Sequence, residues 1–378
     1  MKKLGFGLLR LPLLDANDPA SIDIEAMKEL VDTFLEEGFT YFDTAYLYSN
    51  YASEQAVKTV LTDRYPRDRF QLATKLPNPW NWKTTQEREQ IFQKELERTG
   101  LTYFDYYLLH NVNCQIYDAL EQTQSFQWIL EKKHQGLAKQ VGFSYHDGPE
   151  LLDRILTLHP EMDFVQLQIN YLDWESTGVQ SRKCYEVAVK HNKPVIVMEP
   201  VKGGTLANVP SAVEQRFKEH RPEMSVSSWA VRFAAGLDNV MMVLSGMSNL
   251  KQVLDNTSYM KDFQPLNQQE QAIVREAADI INASVAVPCT GCGYCVKGCS
   301  MNIPIPRYFS LYNADMQVFD KTMWSPHGEL YRNLVRTHGK ASDCIGCAQC
   351  ESACPQHLPV IEYLKDVSRH FEPEHRKT

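Results

Sequence analysis

Two groups of cysteines with the same internal spacing lie in the last quarter of this 378-residue sequence. The first group reads CTGCGYCVKGC over 289–299, and the second reads CIGCAQCESAC over 344–354. Each has the spacing C-x2-C-x2-C-x3-C, and only Cys114 and Cys184 lie elsewhere among the ten cysteines. Disulfide frameworks spread their cysteines along the chain, whereas tight groups of thiols are typical of metal ligation. We therefore predict that this segment folds around bound metal.

The spacing favours iron–sulfur clusters, with structural zinc as the alternative. Three cysteines at two-residue intervals wrap one cubane, and the fourth cysteine ligates the other cluster in two-cluster ferredoxins. Structural zinc uses paired C-x2-C knuckles and does not require the third and fourth cysteines at these intervals. Ser300 stands where a proline usually follows the fourth cysteine. We expect two [4Fe–4S] clusters, one on Cys289, Cys292, Cys295 and Cys354, and the other on Cys299, Cys344, Cys347 and Cys350.

The residues around the cysteine groups predict a helical module. The 44 residues between the groups exceed what a compact ferredoxin needs, and HGELYRNLVRTHG, 327–339, suits a helix that ends at Gly339. The module therefore resembles an α-helical, two-cluster ferredoxin. Before it, 266–284 predicts a connecting helix with Asn267 and Glu270 as a capping pair. We place the domain boundary there, with one domain over 1–265 and the linker helix and module over 266–378.

The larger domain alternates short β-rich runs with amphipathic helical stretches, which is the pattern of parallel βα units. The eighth strand is expected either within 225–236 or at the start, although the opening GFGLLRLP, 5–12, suits a short hairpin closing a barrel floor. A (β/α)8 barrel is the predicted fold, because the alternative, an open doubly wound sheet, lacks a G-x-G-x-x-G that opens a helix. The other predicted strands are 41–45, 70–76, 103–110, 140–146, 164–172, 194–201 and 240–247.

Charge and hydropathy exclude several classes of protein. The formal net charge of −8 argues against a nucleic-acid or anionic-membrane partner, since both reward clustered Lys and Arg. The sequence has no run of 18 or more apolar residues, so we expect no membrane span. The apolar N-terminal run superficially suggests a signal peptide, but Arg10 and Pro12 interrupt it. We predict a cytoplasmic protein.

Four polar residues fall where a barrel carries its chemistry, at the C-terminal ends of strands. Asp43, Lys75 and His110 come from three successive predicted strands, and Tyr48 follows Asp43 in the next loop. A lysine near the tyrosine is expected to lower the phenol pKa, and the aspartate to hold the lysine charged. Each residue alone has a structural explanation, such as a buried cap or a surface charge. The four together in register favour an acid site, with the histidine bonding a substrate carbonyl.

The motifs FDTAYLY, ATK and LLH, which carry these four residues, resemble the aldo/keto reductase family over residues 3–260. The resemblance implies reduction of a small-molecule carbonyl, with Tyr48 as proton donor, Lys75 and Asp43 tuning it, and His110 orienting the substrate. It also implies hydride from a nicotinamide cofactor. The positions that match the family's cofactor contacts are Ser144, Gln166 and Asn170 for the carboxamide, Met198 after the seventh strand, and the segment from Ser245 through Gly246 to Asn256 for the adenosine phosphate and adenine.

Departures from the family pattern make the cofactor an open question. Met198 stands where many members stack an aromatic ring on the nicotinamide. Gly246 and Gln252 stand where members that prefer NADP carry a Lys and an Arg, so two charge-assisted hydrogen bonds are lost. Lys202 and Lys251 are candidates to compensate, and the alternative is that they are ordinary solvated surface lysines. The barrel and cysteine groups together resemble the iron–sulfur branch of predicted aldo/keto reductases.

A nicotinamide delivers two electrons, whereas each cluster takes one. A converter such as flavin or a substrate radical therefore has to stand between them. Three hypotheses are compatible with this requirement. The first is a reductase whose clusters share one path with NAD(P)H or a flavin. The second is a reductase without nicotinamide, fed by a ferredoxin- or flavodoxin-like donor. The third is a non-catalytic electron-transfer subunit, which the four-residue site disfavours. Trp80 and Trp82 either cover the pocket or pack against the module, and Cys114 is read as buried filler.

Overall fold

The computed structural model describes residues 2–283, 286–318 and 325–372. Its larger part is a closed barrel of parallel strands in sequential order, in which the first strand pairs with both the second and the last. The predicted (β/α)8 barrel is therefore confirmed. The strands are β1 Leu4–Gly7, β2 Tyr41–Asp43, β3 Gln71–Leu76, β4 Phe104–Val112, β5 Ala138–Tyr145, β6 Phe164–Gln168, β7 Val195–Met198 and β8 Val240–Gly246.

The eighth strand lies at the start of the sequence, which was one of the two expected places, so the interpretation of this segment as a hairpin on the barrel floor is wrong. β1 lies between β2 and β8, with Gly5 opposite Tyr41 and Leu244. A Cβ atom on Gly5 would lie 2.8 Å from the Leu244 side chain and 2.9 Å from that of Tyr41, so the closed barrel requires glycine here. The other candidate, 225–236, is largely the helix Val226–Ala235. A strand of four residues is too short for its alternation to be recognised.

The helices of the barrel half follow the strands and cover the barrel. The first begins where the Asp23 carboxylate accepts the Ala26 N–H, and it buries five apolar side chains. Gly38, at φ +79°, follows its end. The helices are α1 Ile24–Glu36, α2 Ser53–Val57, α3 Thr85–Thr99, α4 Tyr117–Gln122, α5 Ser125–His134, α6 Pro149–Leu158, α7 Ser181–Lys190, α8 Ser211–His220, α9 Val226–Ala235, α10 Leu250–Lys261 and α11 Gln268–Ala283.

The connecting helix α11 has the predicted capping pair. The Glu270 N–H donates to the Asn267 side chain at 2.9 Å, and the Asn267 N–H donates to the Glu270 carboxylate at 2.9 Å. Its apolar face, which includes Ile273 and Val274, packs with Phe217 of α8 and Trp229 of α9. The helix thus packs on the barrel, and a division of the chain at residue 265 stays a prediction.

The C-terminal module is helical and has its own apolar core, centred on Tyr308, Phe309 and Tyr331. The helix predicted to end at Gly339 ends instead at Leu334, because Gly339 has another role. A Cβ atom on Gly339 would lie 2.1 Å from the Met301 carbonyl oxygen, so glycine permits a close approach of two chain segments. The helices are α12 Tyr294–Lys297, α13 Ile305–Met316, α14 Pro326–Leu334, α15 Gln349–Ser352 and α16 Val360–Phe371.

Across the described ranges, every helix is either too short or too polar to cross a lipid bilayer.

Candidate functional site

Lys75 stands at the centre of a buried polar group at the C-terminal ends of β2 and β3. Its ammonium nitrogen lies 2.5 Å from Asp43 Oδ1, 2.8 Å from the Thr44 carbonyl oxygen and 3.3 Å from the Tyr48 hydroxyl. Lys75 and Asp43 are both buried, at 1% and 2% exposure. The His110 ring, on β4, lies 5.8 Å from the Tyr48 ring, edge to face. The four residues singled out at the strand ends therefore lie together.

Burial and charge set the protonation of this group. Burial alone would lower the pKa of Lys75, but attraction to Asp43 and Tyr48 outweighs it and holds the pKa above its ordinary value. Burial raises the pKa of Asp43 against the opposing charge of Lys75. Because a short ion pair in a buried site favours both charged forms, we assign the proton to the lysine. Asp43 and Lys75 thus form an ion pair beneath the tyrosine.

Tyr48 departs from the expectation that Lys75 would lower its pKa. Lys75 does lower it, but burial raises the phenol pKa by more, so the net direction is upward. Tyr48 is therefore a neutral phenol at physiological pH. Burial, together with the charge of Lys75 and the nearby His146, holds the pKa of His110 well below its ordinary value. His110 is thus a neutral imidazole that offers a hydrogen bond without adding charge.

Of the three residues matched to a carboxamide site, Gln166 has a free acceptor. This residue is 2% exposed in the middle of β6, and its Oε1 has no hydrogen-bond partner among the described residues. Ser144 Oγ already accepts the Asn111 N–H at 2.8 Å. Asn170 Nδ2 donates to Asp173 at 2.9 Å and to the Glu199 carbonyl oxygen at 3.3 Å. A buried unpaired oxygen is costly, so Gln166 is a candidate contact for an amide donor.

The segment after β8 forms a polar cradle in which the predicted residues meet. Asn256 Nδ2 donates to Ser245 Oγ at 2.6 Å, and the Tyr259 hydroxyl donates to Asn256 Oδ1 at 2.5 Å. Gly246 is exposed at the end of the strand, and the Gln252 side chain accepts the Ser248 N–H at 2.7 Å. Gln252 thus caps the turn that leads into α10.

The two lysines named as compensating take different positions. Lys202 is 2% exposed and forms an ion pair with Asp173 at 2.6 Å, so it is not the surface lysine expected from the sequence. Lys251 is exposed on α10. The cation that packs on Gly246 is Arg10, since a Cβ atom added to Gly246 would lie 3.6 Å from the Cβ atom of Arg10. Its guanidinium lies 3.5 Å from Glu199. Arg10 was missed because its contacts with Gly246 and Glu199 join segments that are far apart in the sequence.

The eight cysteines of the two groups line two cavities in the module. Each cavity takes three thiols from one sequence group and one from the other, and the remaining walls are mainly apolar side chains. The first is lined by Cys289, Cys292, Cys295 and Cys354, and the second by Cys299, Cys344, Cys347 and Cys350.

This donor set fits an iron–sulfur cluster. Four thiols surround each cavity, and Gly291, Gly293 and Gly346 have positive φ where the chain winds around it. The Gly291 N–H lies 3.5 Å from Cys289 Sγ, as in the amide–sulfur hydrogen bonds of such sites. Burial raises the pKa of Cys295 to about 11, so bound metal would have to displace its proton.

The remaining candidates take other positions. Trp82 is 3% exposed within the barrel's apolar core, where its indole N–H donates to the Pro77 carbonyl oxygen at 3.0 Å. Trp80 is 63% exposed in the loop after β3, where a covering role stays a prediction. Cys114 is half-buried, and burial raises its pKa to about 12. Its sulfur lies 3.8 Å from the carbonyl oxygen of Asn333, so Cys114 packs between the barrel and the module.

Comparison with known proteins agrees with this architecture. Residues 3–279 match the aldo/keto reductase family, and residues 288–358 match the 4Fe-4S dicluster domain. The holo form of aldo-keto reductase AKR11C1 from Bacillus halodurans has a TM-score of 0.57 at 23% identity, covering 73% of this chain and 91% of that chain. An aldo/keto reductase from Klebsiella pneumoniae, in complex with NADP and acetate, has a TM-score of 0.59 at 18% identity, covering 72% and 90%. At these identities the likeness shows a shared fold. No curated protein sequence matches the chain.

Proposed function

The chain belongs to the aldo/keto reductase family of oxidoreductases, and from that premise we propose that it reduces a carbonyl-type small molecule, with Tyr48 as proton donor and two [4Fe–4S] clusters relaying electrons. The observation that carries the proposal is the position of the buried Lys75 ammonium. It lies 2.5 Å from Asp43 and 3.3 Å from the Tyr48 hydroxyl. Buried charges that shift the pKa of a neighbouring group cluster at functional sites, and this one lies against a phenol at the mouth of the barrel.

The protein's part in the reaction is the transfer of one proton. The neutral Tyr48 phenol holds that proton until the carbonyl oxygen of the substrate gains negative charge. The phenolate that remains is stabilised by the Lys75 ammonium, and Asp43 keeps that ammonium charged and in place. The neutral His110 imidazole donates a hydrogen bond to the same carbonyl oxygen, which orients the substrate before reduction.

A nicotinamide cofactor, when bound, supplies a hydride. Gln166 Oε1 would accept from its carboxamide, with Ser144 and Asn170 beside it. Arg10 would face the cofactor's phosphates from the side of Gly246, in place of the cations that the sequence lacks there. Met198, half-buried at the end of β7, would lie against the ring. These contacts support NAD(P)H as the donor, and a flavin is the alternative.

The module's two cavities would each hold one cluster, and such clusters exchange single electrons. The first cysteine cavity is nearer to the barrel, because Cys289 and Gly291 also line a cavity of about 420 Å³ together with Asp173 and Thr177 of the barrel. Among the described residues, the second cysteine cavity is lined by module residues alone. This arrangement supports a relay in which the second cluster is the outer one.

A second candidate is a reductase without nicotinamide that receives electrons from a ferredoxin- or flavodoxin-like protein. Ile345 is 65% exposed and lies between Cys344 and Gly346, and Cys347 is exposed too. These exposures place the second cysteine cavity at the surface of the module, within reach of an external electron donor. The absence of cations at Gly246 and Gln252 favours this candidate as well.

The decisive test is an anaerobic titration of cluster-loaded protein with NADH, then NADPH, then a low-potential reductant, followed by absorbance and EPR. Bleaching of the clusters by a nicotinamide would support one shared path through the barrel site. Bleaching by the strong reductant alone would favour the partner-fed alternative.

The proton donor is tested with Tyr48→Phe, assayed against a panel of small aldehydes and ketones. We expect kcat to fall by about 10²–10⁴-fold, because general acid catalysis is lost. The cluster spectra should not change. Full turnover in this variant would contradict the role of Tyr48.

A further inference from the structure

Helix α14 of the cluster-bearing module lies against the ends of barrel strands and places polar side chains there. Glu329 accepts from Asn113 Nδ2 at 3.1 Å and from Gln115 Nε2 at 2.8 Å, both in the segment that follows β4. Asn333 Nδ2 donates to the carbonyl oxygen of His146, which follows β5, at 2.8 Å. Glu329 and Asn333 are each 3% exposed. The module is therefore fixed on the half of the barrel mouth that carries His110.

The N-terminal end of α14 reaches the opposite side of the mouth through His327. His327 Nε2 lies 3.3 Å from Lys202 Nζ, in the loop after β7. Lys202 forms the ion pair with Asp173 at 2.6 Å, and the other Asp173 oxygen accepts from Asn170 at 2.9 Å and from Gln168 at 3.2 Å. A continuous row of polar contacts thus runs from the module to the end of β6.

His327 is held from within the module by Asp315. His327 Nδ1 lies 3.2 Å from Asp315 Oδ1, and His370 Nε2 lies 2.5 Å from Asp315 Oδ2. Burial would raise the pKa of Asp315, but hydrogen bonds from His327, His370 and Ser325 hold it well below its usual range. The anionic Asp315 fixes the proton of His327 on Nδ1, which leaves Nε2 as the acceptor that faces Lys202. Helices α13, α14 and α16 meet at this carboxylate.

The energetics of this row follow from burial. His327 is 1% exposed, and Lys202 and Asp173 are 2% each, so none of the three can exchange its partner for water. Lys202 also has φ +49°, a left-handed conformation that a non-glycine residue adopts only when its surroundings impose it. Removing one member leaves a buried charge or donor without its full set of partners. The loops after β6 and β7 therefore depend on His327.

We propose that His327 is a positioning residue for the barrel site, which acts through Lys202 and Asp173 on Asn170. This inference rests on the proposed function in one respect, since Asn170 is one of the residues expected at the nicotinamide carboxamide. The Asn170 side chain also accepts the backbone N–H groups of Leu172 at 3.1 Å and Asp173 at 2.8 Å. His327 thus sets the shape of the loop after β6.

With His327 in this role, losing the clusters has two distinct effects: electron transfer stops, and the support that the module gives to the barrel site weakens. A module that loosens without its clusters no longer holds His327 in place, and the carboxamide side of the barrel site loosens with it. Cluster loss therefore weakens nicotinamide binding even in an assay in which no electron passes through a cluster.

The experiment is amide hydrogen exchange on the full, cluster-loaded chain, comparing wild type with His327→Leu and His327→Gln. Leucine keeps the bulk but removes the acceptor, whereas glutamine offers an oxygen to Lys202 and an amide N–H to Asp315. In His327→Leu we expect the amides of Leu172 and Asp173 to exchange about tenfold faster or more. The Thr44 amide, beside Lys75, should be unchanged, and glutamine should restore most of the protection.

His338→Ala is the matched control, since this histidine contacts Thr337 and the Leu334 carbonyl oxygen within the module. Unchanged exchange at Leu172 and Asp173 in His327→Leu, with clusters retained, would overturn the proposal. If that variant loses its clusters, His327→Phe takes its place, because phenylalanine keeps a ring at this position but offers no acceptor to Lys202. The exchange rates of Leu172 and Asp173 are then compared between His327→Phe and wild type. The dissociation constants of NADH and NADPH are measured on the same samples. Wild type that binds neither would refute the nicotinamide part of the proposed function, while the exchange data would still decide the role of His327.

Discussion

At the scale of single residues, the Lys75–Asp43 pair shows how a charge is kept inside a barrel. Both side chains are almost fully buried, and Lys75 also donates to the Thr44 carbonyl oxygen. Breaking a buried pair from one side leaves an uncompensated charge, whereas removing both charges does not. Stability and catalysis therefore respond differently to substitutions here.

We expect Lys75→Met to reduce the free energy of unfolding by about 3–5 kcal/mol, because Asp43 is left buried without its cation. The double variant Asp43→Asn with Lys75→Met should recover a large part of that loss in a urea titration. Both variants should lack carbonyl reductase activity, since Tyr48 loses its ammonium partner. A single variant as stable as wild type would mean that Asp43 takes up a proton easily.

The sequence predicted that the four polar residues would lie together, because three of them fall near the ends of strands that the hydropathy pattern already marked. Asp43, Lys75 and His110 could be placed by counting to strand ends. Arg10 and His327 could not, since each acts through a partner about 190 or 125 positions away, Glu199 and Lys202 respectively. The pKa of Tyr48 was mispredicted for a related reason, because burial is not readable from a motif.

At the scale of elements, β1 shows why a short strand is hard to place, since the start of the sequence was only one of two candidates for it. It has four residues, of which Leu4 and Phe6 are buried and Gly5 faces Tyr41 and Leu244. A longer element with a capping pair, α11, was predicted closely, over 266–284 against the observed Gln268–Ala283. The helix in 327–339 was predicted too long, because Gly339 serves a tertiary contact with Met301 rather than a helix end.

The requirement for glycine in β1 is testable with a control two residues away. Gly5→Ala places a methyl group within 2.9 Å of Leu244 and Tyr41, so we expect a loss of about 1–3 kcal/mol in the free energy of unfolding. Gly7→Ala meets its nearest atom at 3.5 Å, which is ordinary contact, so its thermal transition should stay near that of wild type. Equal transitions for both variants would contradict the close packing inferred for β1.

At the scale of the whole molecule, a barrel and a helical module are joined by an interface that is buried and largely polar. On the module side, the polar contacts are made by Glu329, Asn333 and His327. On the barrel side, Asn113 contacts Glu329 and Lys202 contacts His327. The sequence predicted the two halves, since each has its own pattern. It could not predict the interface, because polar residues in contact carry no periodicity.

Each cluster is expected to bind three cysteines of one sequence group and one cysteine of the other, an arrangement we call crossed ligation. Cys354→Ser should alter the EPR signal of the cluster held by the first cysteine group, although Cys354 belongs to the second group in sequence. The Cys299→Ser variant should affect the other cluster. Each should lower iron content by about half if the damaged cluster is lost. Ala353→Ser is the control, and loss of the same cluster in both cysteine variants would contradict the crossed arrangement.

Crossed thiols also impose an order of events during synthesis. The first cysteine cavity draws on Cys289 and on Cys354, which lies in the second cysteine group, and the second cavity draws on Cys299 and three cysteines of that same group. With that arrangement, neither inorganic centre can be completed before the second cysteine group has left the ribosome, and by then the barrel strands have all emerged. Maturation of the holoprotein then proceeds from a finished barrel to the loading of iron and sulfide, and a truncated translation product would carry a barrel without either centre.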